Sequence, residues 1–169
     1  MTPALLLRLT VNPTLSWLEE MGVRSDDRAR VMLLAIALQE SGCRARRQVP
    51  VAHAMGFWQF ERAGGVAGVL QHAASRPFAL DVCEQLAVAA TPEAVHPALE
   101  HNDVLACAFA RLLLWTDPAA LPGPDQISES WLYYRRNWRP GKPRPGEWPE
   151  NWQAACQTVG TTYGPALVS

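Results

Sequence analysis

The chain has 169 residues, 49% of them apolar and 18% charged, and its 15 basic and 16 acidic side chains leave a net charge of −1. That is enough chain for one domain with a real core, and too apolar a chain for a disordered polymer. With no global basic field, bulk electrostatic capture of nucleic acid or of an anionic membrane is excluded, and no apolar run approaches the ~18 residues that span a bilayer.

The opening MTPALLLRLTVNP lacks a basic start, and Arg8 interrupts its short apolar stretch, so it does not read as an export signal and cytoplasmic synthesis is expected. Asn12-Pro13 resembles a helix N-cap followed by proline at the first helical position, and Gly22 a stop, which predicts a helix near 13–21. Ser25 can cap the next helix. Val31, Leu34, Ala35 and Leu38 follow i, i+3, i+4, i+7 spacing, and Met32, Leu33 and Ile36 widen the apolar arc. This is the expected central helix, buried on most sides and ended by Gly42. Residues 43–63 are less regular, and 64–75 predict a weak helix because its three glycines cost about 1 kcal/mol each in a helix interior. Pro77 begins a helix to about Ala90. Residues 102–117 form the second strongly apolar helix, with Asn102 or Asp103 as its cap. A turn at 122–126 leads to a helix through about Arg136, then a proline-rich loop at 139–149 and a short C-terminal helix. No stretch alternates with period 2 over a useful length, so the class is all-α, or mainly α with minimal β. Residues 1–169 read as a single domain, the 139–149 loop being the only candidate linker.

Cys43, Cys83, Cys107 and Cys156 are scattered without a C-x-x-C pair, and the histidines at 53, 72, 96 and 101 make no H-E-x-x-H motif. Reduced core thiols, no metal site and no cofactor are expected.

The predicted central helix ends in Glu40-Ser41-Gly42. Glu40 stands at i+7 from Leu33 and i+3 from Ala37, so its Cβ points to the apolar side or its rim. The negative end of the helix dipole and apolar surroundings should both raise its pKa. A carboxyl that holds its proton is what a general acid requires.

Nineteen residues later stands Gln59, in Gly56-Phe57-Trp58-Gln59. Glu-Ser-Gly closing a helix, an irregular stretch, then Gly-apolar-apolar-Gln resembles the first two motifs of the lytic transglycosylase domain in the lysozyme-like superfamily. Residues 105–117 resemble the family's later helix. WLYYRRNWRPG at 131–141 falls where the family has Ala-Tyr-Asn-Ala-Gly, although Tyr134 is followed by Arg135. The resemblance covers roughly 28–141 and implies one lysozyme-like domain whose buried central helix carries the catalytic acid. It implies that Glu40 cleaves the β-1,4 bond between N-acetylmuramic acid and N-acetylglucosamine in peptidoglycan, protonating the glycosidic oxygen and then taking the proton of the muramic 6-hydroxyl as a 1,6-anhydro ring closes. Ser41 would orient Glu40 or contact the glycan. Gly56 would let backbone approach the sugar, Trp58 and Gln59 would line the cleft, and Tyr134, or Tyr133, would hydrogen-bond near the Glu40 carboxylate.

Other roles compete for the same residues. Ser41 and Gly56 suit a helix-end turn and a tight turn, Phe57 and Phe60 suit a core, and Tyr133 and Tyr134 cannot both face one cleft. Arg44, Arg46 and Arg47 read as a solvated loop or as a lure for stem-peptide carboxylates. Between Glu40 and Asp81 the only other acid is Glu61. A one-acid site favours transglycosylation, since hydrolytic glycosidases usually use two carboxylates. The alternatives are a muramidase on the same fold, and a phage structural or tail-assembly protein that keeps the fold without activity. Arg135, Arg136, Arg139, Lys142 and Arg144 among tryptophans form a nucleic-acid-like footprint, but the neutral whole argues against nucleic acid as partner. Without a signal, such an enzyme suits a phage product made in the cytoplasm and delivered to the periplasmic wall by lysis or in the virion.

Overall fold

A computed structural model describes residues 1–47 and 53–161, so residues 48–52 of the irregular stretch and 162–169 of the C-terminal segment lie outside the described residues. The chain is mainly helical. Helix α1 (Pro3–Leu6), a π turn (Leu7–Val11) and α2 (Asn12–Glu20) follow one another without a break, which starts the first helix ten residues before the sequence signal. Thr2, not Asn12, is the cap, its Oγ1 accepting from the Leu5 amide at 3.3 Å. Asn12 is helical, and its amide reaches the Leu7 carbonyl five residues back. Pro13 explains the wide turn, because it has no N–H and its ring crowds the carbonyl four residues before it.

Helix α3 (Asp27–Ser41) is the central helix, with Ala29, Val31 to Ala37 and Gln39 buried. Its cap is Asp26, whose carboxylate accepts from the Ala29 amide at 3.2 Å. Ser25, the expected cap, instead has its hydroxyl occupied by the Arg111 Nε at 3.0 Å. Gly42 closes the helix at φ 59°, a left-handed position that glycine adopts without penalty.

Two short strands, β1 (Ala54–Met55) and β2 (Phe60–Glu61), pair antiparallel with Ala54 opposite Glu61 and Met55 opposite Phe60. A second π turn (Arg62–Val66) leads into α4 (Ala67–Gln71). Helix α5 (Arg76–Gln85) ends earlier than expected because Ala87, at φ 53°, turns the chain. Helix α6 (Pro92–Ala98), capped by Thr91, has no counterpart among the predicted elements. Helix α7 (Asp103–Trp115) is almost wholly buried, with Asn102 as its cap, and α8 (Ile127–Trp138) ends at a left-handed Arg139.

The C-terminal helix is a principal wall of the core. Helix α9 (Trp148–Val159) packs along α3, burying Trp148, Trp152, Ala155 and Cys156. The proline-rich loop before it is pinned to α3: Gln39 Nε2 donates to the Arg144 carbonyl at 3.0 Å and Arg144 donates back to the Gln39 carbonyl. Asn151 Nδ2 donates to Gln39 Oε1 at 2.9 Å. All four cysteines are buried and unpaired. Among the described residues no helix is long and apolar enough to cross a membrane.

Candidate active site

The last turn of α3 and the β1–β2 turn meet at one point. Ser41 Oγ lies 2.8 Å from the Phe57 carbonyl and 3.0 Å from the Ala37 carbonyl. Its single proton is thus directed at protein carbonyls, and it ties the turn Gly56–Gln59 to the end of the central helix. Gly56 is at φ 74°, and a Cβ there would sit 3.1 Å from Ala106 Cβ and 3.2 Å from the Leu99 carbonyl. Its smallness serves packing against α6 and α7, not approach of a sugar. Gly56→Ala is therefore expected to cost about 1–3 kcal/mol, from the left-handed backbone plus the crowding. A lowered urea midpoint at unchanged slope is the check.

Trp58 is fully buried and its Nε1 donates to the Leu33 carbonyl at 2.9 Å, so it is core and does not line a cleft. The turn thus places the side chain two residues after the glycine under α3. Gln59, at φ 49°, does face the cleft, while its amide donates to the Gly56 carbonyl at 2.8 Å and braces the turn. Tyr133 faces away, its hydroxyl donating to the Leu114 carbonyl at 3.0 Å. Tyr134 turns the other way, and its hydroxyl donates to Glu40 Oε1 at 2.6 Å.

Glu40 opens into a cleft of about 1020 Å³, a volume at the top of the range of ligand sites. Gln59, Phe60 and Glu61 line one part of it, and Gly64, Gly65, Gly68 and His72 the next. The opposing wall runs from Arg136 to Arg144 and includes Asn137, Trp138, Arg139 and Lys142. Of the basic and aromatic run near the C-terminus, Arg136, Trp138, Arg139, Lys142 and Arg144 are therefore cleft wall, while Trp148 and Trp152 are core. Arg46, by contrast, is occupied in a two-bond pair with Asp103, both bonds at 2.7 Å, and lies over the Phe57 ring at 4.2 Å. Asp103 and Asp125 do not line the cleft, and the carboxylate that joins Glu40 there is Glu61.

Burial pushes the Glu40 carboxyl above its ordinary 4.5; the Tyr134 hydrogen bond and the Arg144 charge pull it back, and Glu61 pushes it further up. The native chain thus holds this proton more tightly than the unfolded chain. The associated stabilisation is complete below about pH 4.5 and is lost as pH rises through the folded value. Tyr134 acts in the opposite sense, because its hydrogen bond favours the carboxylate. Tyr134→Phe should therefore move the alkaline limb of an acid-catalysed pH–rate profile upward and cut kcat about 10- to 100-fold, the worth of a hydrogen bond to a charged group. Kinetics over pH 4–9 measure both. The tyrosine is itself fixed by rings, stacked on Trp148 at 4.9 Å and lying 5.3 Å from Trp131.

Arg144 and the loop that carries it escaped the sequence reading as site residues. Their basic charge was legible, but not the hydrogen bonds with Gln39 that bring them beside the acid. Among the described residues, no cluster of three or more His, Cys, Asp or Glu could hold a metal ion. The chain matches no family model, no curated protein and no solved structure.

Proposed function

We propose that the chain is a peptidoglycan-cleaving enzyme of the lytic transglycosylase kind, acting on the bond between N-acetylmuramic acid and N-acetylglucosamine with Glu40 as its acid and base. The observation that carries this reading is a half-buried carboxyl of raised pKa, hydrogen-bonded by Tyr134, opening into a cleft of about 1020 Å³. Its proton passes to the glycosidic oxygen as the bond breaks. The carboxylate left behind is what Tyr134 and Arg144 favour, so the same pair that opposes the raised pKa stabilises the second state of the cycle. The carboxylate then takes the proton of the muramic 6-hydroxyl as that oxygen closes the anhydro ring. Delivery to the wall as a phage product, by lysis or in a virion, completes the reading.

A hydrolytic second reading is favoured by Glu61, a second carboxylate in the same cleft. It could activate a water on the far face of the sugar. Mass spectrometry of digested sacculi separates the two. Anhydro-muropeptides, retained in Glu61→Gln, support the one-acid mechanism; reducing ends that vanish in Glu61→Gln support hydrolysis. No product from the wild-type chain would leave the fold a structural role in a virion.

A further inference from the structure

The second cavity, of about 620 Å³, lies between the α2–α3 loop, the end of α7 and α8. Consecutive residues of α8 separate it from the cleft, since Tyr133 lines this cavity while Tyr134 reaches Glu40. Its wall contains Arg111, which is 4% exposed. A buried guanidinium normally has a carboxylate beside it, because an unpaired buried charge is costly. Arg111 has none within ion-pair distance among the described residues. Nε donates to Ser25 Oγ at 3.0 Å and Nη2 to the Arg24 carbonyl at 2.5 Å. Nη1 has no acceptor among the described residues, nor is it sealed from solvent. The cavity is the space it opens into.

Two more cations, Arg24 and Arg28, line the same cavity, both exposed and neither in an ion pair among the described residues. Two acids line the cavity as well, and of these only Asp26 sets its charge against the three arginines. Asp26 caps α3, and Asp117 accepts from Arg136 Nε at 2.6 Å and Asn137 Nδ2 at 2.8 Å. The remaining surface is largely apolar: Leu114, Trp115, Leu121 and two alanines. Three arginines thus stand over an apolar wall with too little negative charge to balance them.

We propose that this cavity binds a small organic anion, a carboxylate carried on an apolar or aromatic body. Arg111 Nη1 holds the head from below, Arg24 and Arg28 flank it, and Trp115 and Leu121 cover the body. The guanidinium charge favours a charged head over an isosteric neutral one, and the wall favours benzoate-like bodies over a bare inorganic ion. The site makes no use of Glu40 and stands or falls independently of the enzymatic reading.

Isothermal titration of the full chain in low salt, with benzoate as probe, tests it. Expected is saturable binding at one site, at least tenfold weaker in Arg111→Met and several-fold weaker in Arg28→Gln, with no measurable binding of benzamide. Should Arg111→Met fail to fold, the Arg24→Gln/Arg28→Gln double variant serves, with the tenfold loss expected there. No saturable benzoate binding, equal binding of benzamide, or affinity unchanged in the arginine variants would overturn the proposal. Inorganic phosphate displacing benzoate at equal concentration would also overturn it, since the apolar body would then count for nothing.

Discussion

Glu40→Gln is expected to lower the rate of sacculus digestion by about 10³-fold or more while the protein becomes no less stable at pH 7. General acid–base catalysis contributes about 10²–10⁴, and in the proposed mechanism one group serves both the protonation and the deprotonation step, so its loss would be felt twice in each turnover. Glutamine has the same shape, and its carbonyl oxygen can still accept from Tyr134, so the geometry of the cleft should persist. The sign for stability follows from burial. A carboxyl whose pKa is raised by folding destabilises the native state once it ionises, whereas the amide stays neutral at every pH. The stability of wild type relative to the variant should therefore fall as pH rises above 4.5. A dead variant of equal or higher stability is the pattern of an active-site residue under strain. Turbidity loss of sacculi gives the rate and urea titration at pH 4.5 and 7 gives the stability. Activity within tenfold of wild type would remove Glu40 from the mechanism.

Trp58→Ala should cost about 3–5 kcal/mol, the range for removal of a large buried aromatic side chain. Against a total stability of about 5–15 kcal/mol, that is a large share of what holds the fold. The ring is fully buried beneath α3, touches Phe57 edge-on at 6.5 Å, and donates to the Leu33 carbonyl. Its main-chain carbonyl, which the substitution keeps, receives the Trp138 Nε1 at 2.9 Å, so the loss is that of the ring and its own hydrogen bond. Trp58→Phe keeps most of the apolar area and loses the hydrogen bond and part of the ring volume; a cost of about 1–3 kcal/mol, below that of alanine, is expected there. Urea unfolding of the three proteins gives the series. If Trp58 were a sugar platform instead, the alanine variant would keep its midpoint and lose glycan affinity.

The central helix and its acid were legible because both rest on local rules: apolar spacing at 3.6 residues per turn, and a glycine able to take φ 59° behind Glu40. The same holds for the cap at Asn102. The first helix was half legible. Pro13 reads as a start, and only the wide π turn before it, a backbone adjustment with no sequence signature, lets the helix run through. Helix α6 carries a good opening in Thr91-Pro92-Glu93 but has Pro97 inside it, which masks the helical pattern. In the site, Tyr134 was placed beside Glu40 by motif order alone, with Tyr133 as the alternative; the choice between neighbours depends on the rotation of α8, set by packing against Trp148 of α9. Trp58 and Gly56 show the limit in the other direction. Residues that fit a glycan-site motif can equally serve the turn itself, and only the direction of each side chain separates the two roles.

The loop clamped onto Gln39 has a consequence for how the chain folds. Asn151 and Gln39 are 112 residues apart in sequence, so packing α9 onto α3 closes most of the polypeptide into one loop. Closure entropy grows with loop length and must be met before the contacts that reward it exist. Refolding should thus form the α5–α7 contacts, close in sequence, before the last helix is seated on α3 and the Glu40 carboxyl is shielded.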